Sequence, residues 1–179
     1  MSGTKGPAKP TGLVYVYVGD GEGKTSAAIG HAVRAAGHGK RVAIIHFMKG
    51  RETGEYRLLR GLGGITVYLG GPPFFLVTDE DREAHSAKAR RAYELAIRLL
   101  DGNEYDLLVL DELLYALWFG LLTEEEVLSL IDMRGDAHLI ITGRGASARI
   151  LERSDVVTRM EDVKHHYRHD RKTVPSLDY

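Results

Sequence analysis

The stretch Gly19-Asp20-Gly21-Glu22-Gly23-Lys24-Thr25-Ser26 carries the residue types that hold an anion and a hard cation side by side. Its three glycines let the backbone turn successive N–H groups inward, at φ values that residues bearing a Cβ tolerate poorly. A helix opening at Lys24 aims its free N–H groups and the positive end of its dipole at the same point. Lys24 then reaches the outer phosphates of a nucleotide as a point charge, and the Thr25 hydroxyl is offered to Mg²⁺. Val18 stands where the general phosphate-loop pattern has its first glycine. Gly23-Lys24-Thr25 between a β-branched run and a helix-forming run nevertheless makes nucleotide binding the expected role of Gly19 to Ser26.

Three further stretches end predicted strands with groups that could join this chemistry. Asp111-Glu112 closes the apolar run at 107–110, the pattern whose carboxylates hold Mg²⁺ directly or through water, so Thr25, Asp111 and Glu112 form the expected metal set. Arg144 between Gly143 and Gly145 can clamp phosphate oxygens, although turn geometry accounts for the two glycines equally well. Lys49 and Gly50, in a polar and glycine-punctuated stretch after the second strand, lie where ligands sit in open α/β sheets. The same stretch also reads as an ordinary solvated loop. The spacing of His165, His166 and His169 invites a metal reading, but no carboxylate or thiolate arrangement supports one, and a basic tail is the expectation. Lys24, Glu112 and Arg144 are the catalytic candidates.

The elements that must position these groups follow from alternation and punctuation. Apolar or β-branched runs at 13–18, 41–47, 65–69, 106–110, 137–142 and 156–160 read as strands, fully apolar where both faces are covered. Helices are expected at 24–36, 55–62 and 78–100, and after the capping box Thr123-Glu124-Glu125-Glu126. Ala27, Ala28, Ala32, Val33 and Ala36 form the expected buried stripe of the first helix. Thr78 is the expected cap of the long helix. The first two strands and their crossover helix read as a right-handed βαβ unit. The apolar run 113–122 is too short to span a bilayer and reads as core. Phe74-Phe75-Leu76, after Pro72-Pro73, either lines a pocket or plugs the core.

This predicts an α/β chain: a single-domain, P-loop NTPase-like three-layer fold with a mostly parallel sheet of about six strands. Residues 1–12 read as a flexible lead-in, 13–160 as the nucleotide-binding domain, and 161–179 as a polar basic tail. At 179 residues and a formal net charge of −1, the chain fits one domain and has no global field to recruit nucleic acid or an anionic membrane. It contains no cysteine, which removes disulfides, thiolate metal sites and cysteine nucleophiles together. Without an apolar secretory stretch near Met1, a cytoplasmic location is expected.

The order of motifs resembles the P-loop corrinoid adenosyltransferases. The matching residues are Gly19 to Ala28, Arg34-Ala35-Ala36-Gly37-His38-Gly39, Phe47-Met48-Lys49-Gly50 with Gly54-Glu55, Leu110-Asp111-Glu112-Leu113 with Tyr115-Ala116-Leu117, Thr142-Gly143-Arg144-Gly145, and Val163-Lys164-His165. The resemblance implies transfer of the 5′-deoxyadenosyl group of ATP to a reduced corrinoid, with ATP as co-substrate, Mg²⁺ as cofactor and Phe74 beside the corrinoid. It also implies a homodimer, with a flavoprotein as a source of the electron. Departures are His46, where the family usually has glutamine, and Phe74-Phe75-Leu76, where it commonly has Phe-Thr-Trp. The family's C-terminal motif is replaced by residues 166–179. The alternatives on residues alone are a P-loop nucleoside or small-molecule kinase and an ATP-dependent regulatory module.

Overall fold

The computed structural model describes residues 11–72, 79–165, 174, 176 and 177. Six strands, β1 (Val14–Val18), β2 (Val42–His46), β3 (Ile65–Leu69), β4 (Leu107–Asp111), β5 (His138–Gly143) and β6 (Val156–Arg159), form one sheet in the order β3-β2-β4-β5-β1-β6. Every neighbouring pair is parallel. Six helices connect them: α1 (Lys24–Gly37), α2 (Gly54–Leu59), α3 (Asp79–Asp101), α4 (Leu113–Trp118), α5 (Glu124–Met133) and α6 (Ala148–Glu152).

Alternation along each strand divides the apolar residues between two cores, which makes the three layers. Val16, Ala43, Ile45, Leu108, Leu110, Leu139 and Ile141 pack with α3, α4 and α5. Tyr17, Val42, Ile44, Val109 and Ile140 pack on the opposite face with Ala28 and Ala32 of α1 and Leu59 of α2. Strands buried on both faces occupy the middle of the sheet, as β2 and β4 do, while the exposed β6 takes an edge.

The first two strands are parallel in one sheet and joined by α1, as the βαβ reading expects, but the crossover spans two other strands. β1 and β2 are not neighbours, because β4 and β5 are inserted between them. Both inserted strands need cover on two faces, and sequence order alone does not show it. Two smaller corrections concern burial. Val33 is 45% exposed, because the small stripe of α1 is centred on Ala28 and Ala32. The run 113–122 is only partly core: Leu113, Leu114, Ala116, Leu121 and Leu122 are buried, whereas Trp118 and Phe119 stand 52% and 39% exposed at the end of α4.

The expected capping box is present: the Thr123 hydroxyl accepts from Glu126 N–H at 3.3 Å, and the Glu126 carboxylate accepts from Thr123 N–H at 2.8 Å. The acidic residues of that turn also pair outward, with Arg149 and Arg90. Helices α4 and α6, neither of them expected from sequence, are six and five residues long, too short to show a period, and α6 is capped by Ser147. Thr78, Phe74 and the rest of 73–78 in the loop after β3 lie outside the described residues, as do residues 1–10 and most of 166–179.

Candidate active site

The glycine loop joins β1 to α1 at the carboxyl edge of the sheet, with Gly23 at φ 92° as the cap of α1. No side chain caps that helix, so its first turn presents bare N–H groups to whatever the loop holds.

Beside the loop, strand register sets a row of polar side chains. His46 on β2 is aligned with Asp111 on β4, and Thr142 on β5 with Tyr17 on β1. Alternation puts all four on the face that packs against α1, one step beyond Ile44, Val109 and Ile140. Asp111 is the centre of the row and is buried. Its Oδ1 accepts from the Thr25 hydroxyl at 2.8 Å and from the Thr142 hydroxyl at 2.7 Å. Its Oδ2 stands 2.8 Å from His46 Nδ1 and 3.1 Å from Lys49 Nζ. Lys49 also donates to Thr25 Oγ1 at 3.4 Å.

These contacts set the charges. Burial pushes the Asp111 carboxyl up, but the His46 hydrogen bond and the Lys49 ammonium outweigh it and hold the group below the usual carboxylate range. Burial pulls the Lys49 ammonium down, and Asp111 with Glu112 more than reverses that, so Lys49 is held charged. Lys24 moves the other way: burial lowers it, and the Arg144 guanidinium adds to the effect. Glu112 is pushed up to about 7, chiefly by burial and then by Asp111. Its backbone is left-handed at φ 62°, a conformation that side-chain-bearing residues adopt at a cost and that occurs at functional turns. Its N–H donates to Thr142 Oγ1 at 2.9 Å, so Thr142 braces both acids at once.

The structure thus brings Thr25, Lys49, Asp111 and Glu112 together with the loop. Lys24 folds back to donate to the Gly21 carbonyl. Arg144 Nε approaches Asp20 Oδ1 at 2.5 Å, and its guanidinium lies over Trp118 and Tyr115, 5.0 and 6.0 Å from the ring centroids. A hollow of about 450 Å³ lined by Leu117, Trp118, Glu124, Gly145 and Ser147 opens next to that stack. Ser26 is exposed in the first turn of α1. Gly50 has a packing reason to be glycine: a Cβ there would come within 2.3 Å of Gly71 O. Phe74 lies outside the described residues.

Two members of the network were not singled out from sequence as site residues. Thr142 was legible as a polar residue at the carboxyl end of an apolar run, on the face that carries Ile140. His46 entered only as a departure from a pattern. Among the described residues, no group of three or more His, Cys, Asp and Glu is placed to hold a metal by itself. A cation here would need ligand oxygens to complete its shell. The Thr25 hydroxyl fits such an ion, since it donates to Asp111 and, beyond the long 3.4 Å contact from Lys49, keeps a lone pair to offer. Asp111, already accepting four donors, fits as the partner of a coordinating hydroxyl or water rather than as a direct ligand.

The family model described as ATP:corrinoid adenosyltransferase BtuR/CobO/CobP matches residues 10–179. The chain belongs to that family. It is 36% identical over 169 residues to the corrinoid adenosyltransferase of Escherichia coli (strain K12), covering 94% of this chain and 86% of that protein. Identity to the corrinoid adenosyltransferase CobA of Salmonella typhimurium is 37% over 169 residues with the same coverage. Against that of Pseudomonas aeruginosa it is 37% over 171 residues, covering 94% of this chain and 84% of that protein. The adenosyltransferase match takes in the loop, the row centred on Asp111, and the residues after β6 that lie across the loop.

Proposed function

We propose that this chain moves the 5′-deoxyadenosyl group of ATP onto cobalt(I) of a reduced corrinoid, within cobalamin biosynthesis, and releases the phosphate chain whole. The observation that carries the reading is the family match over residues 10–179. The convergence of Lys49, Thr25 and the glycine loop on Asp111 agrees with it. The cobalt(I) electron pair attacks the ribose C5′, the C5′–O bond breaks, and triphosphate leaves with the bonding pair.

In this reading the chain supplies position and charge rather than a nucleophile. Lys24 turns from the Gly21 carbonyl to the phosphates, Lys49 and Arg144 add positive charge, and the loop N–H groups of Gly19 to Thr25 hold the chain in place. Mg²⁺ on the Thr25 hydroxyl, backed by Asp111, would neutralise the leaving triphosphate. Glu112, half-buried with a pKa near neutrality, is a group that hydrolases use as a base. Family membership, not the lack of a base, therefore separates adenosyl transfer from ATP cleavage here. Phe74 is assigned to the corrinoid side of the site on the resemblance. A homodimer, a flavoprotein electron donor and a cytoplasmic location belong to the same proposal. Among the described residues no helix is long and apolar enough to cross a membrane.

The test is anaerobic incubation with ATP, Mg²⁺ and chemically reduced cobalamin, followed by the absorbance change of Co–C bond formation. The change is expected only when all three are present. Its absence with folded protein and all three components contradicts the proposal.

A further inference from the structure

The residues that follow β6 lie across the glycine loop. Gly21 N–H donates to Met160 O at 2.9 Å, Glu22 N–H donates to the Asp162 carboxylate at 2.9 Å, and His165 Nε2 sits 3.0 Å from Glu22 Oε1. The fit is close enough to dictate glycine at two loop positions. A Cβ on Gly19 would stand 2.2 Å from Met160 O, and one on Gly21 2.6 Å from Glu161 N.

Donors that the nucleotide reading requires are therefore already engaged by the chain itself. Asp162 holds the Glu22 N–H, the Gly21 carbonyl holds the Lys24 ammonium, and Asp20 holds the Arg144 guanidinium. Two of these three partners are carboxylates, Asp162 as a hydrogen-bond acceptor and Asp20 as an ion pair, and both match a phosphate oxygen in charge. Both also lie close enough to Lys24 to favour its charged form. Asp162 differs from Asp20 in coming from outside the loop, three residues past the end of β6 at Arg159.

We propose that the Asp162 carboxylate is an internal stand-in for phosphate on the glycine loop: nucleotide enters by displacing it from the Glu22 N–H, and triphosphate leaves as it returns. This rests on the nucleotide-binding reading above. The released triphosphate faces Lys24, Lys49 and Arg144 with its full charge, so a competing anion within the chain speeds its departure. A purely architectural Asp162 has the opposite signature, because a loop that loses its brace binds phosphate less well.

The measurement is tripolyphosphate binding to the full chain by titration calorimetry, without corrinoid, at fixed Mg²⁺ and salt. Asp162→Asn is the deciding variant, since it keeps the shape and the acceptor oxygen and removes only the charge. It is expected to bind tripolyphosphate about tenfold more tightly than the parent and to release it correspondingly more slowly in stopped-flow dissociation. Asp162→Ala, if folded, should bind at least as tightly as Asp162→Asn. Unchanged or weaker binding by Asp162→Asn overturns the proposal while leaving nucleotide binding intact. A folded parent that binds no tripolyphosphate removes the nucleotide-binding reading and this inference together.

Discussion

At the scale of residues, one buried carboxylate organises the site. Asp111 accepts from side chains on α1, β2, β5 and the loop after β2, so each contact ties a separate element to the carboxyl end of β4. His46→Leu removes one of these donors from a dry environment and should destabilise the fold by about 1–3 kcal/mol in urea denaturation. Among the described residues His46 Nε2 has no hydrogen-bond partner, and an asparagine amide nitrogen stands where Nδ1 does. His46→Asn should therefore recover most of the loss, whereas equal destabilisation by both variants would mean that packing, not the Asp111 bond, is what matters. Lys24 is different in kind, because it is only partly covered and bonds to a backbone carbonyl of its own loop. Lys24→Ala should leave the melting temperature nearly unchanged while lowering turnover about 10²- to 10³-fold, or roughly 3 to 4 kcal/mol. Near-normal turnover would remove the loop from the chemistry. Lys24, Thr25, Asp111 and Glu112 were legible in sequence because each sits at a fixed offset from a strand end. The contacts of His46 and Asp162 were not, because they depend on strand order and on a distant segment folding back.

At the scale of elements, strand and helix positions followed from alternation and caps, while neighbour relations did not. The capping box of α5 shows the legible kind: local spacing predicted both reciprocal hydrogen bonds. Tertiary contact adds the ion pair between Glu126 and Arg90 of α3, which no local pattern contains. Burial raises the Glu126 pKa, but the Arg90 hydrogen bond and the Thr123 N–H outweigh it and leave the group below its ordinary 4.5. A folded-state pKa below the unfolded one gives stability that is present above pH 4.5 and is lost as pH falls through the folded value. Glu126→Gln should therefore cost about 1 kcal/mol at pH 7, and its thermal unfolding should converge with the parent's as the solution is acidified below pH 4.5. A difference that persists undiminished in acid would assign the effect to packing. The single-turn α6 and the partial exposure of the run 113–122 were missed for a related reason. Five or six residues are too few to define a period, and which side of a short helix is covered is decided by the sheet beneath it.

At the scale of the whole molecule, the parallel sheet gathers the described polar candidate groups at one edge. The glycine loop, Lys49, Asp111-Glu112 and Arg144 follow β1, β2, β4 and β5, four strands adjacent in the order β2-β4-β5-β1. The residues after β6 close over the loop from the exposed edge. That convergence explains how groups scattered from Gly19 to Asp162 can act on one phosphate chain. In adenosyl transfer this chain of phosphates leaves whole. Attack at C5′ keeps the triphosphate intact, whereas a kinase or an ATPase breaks the bond to the γ-phosphoryl group. Phosphorus NMR of the quenched reaction should show inorganic triphosphate, formed one-for-one with adenosylcorrinoid and only when reduced corrinoid is present; ADP formed in step with turnover would contradict adenosyl transfer and make the site that of a phosphoryl-transfer enzyme.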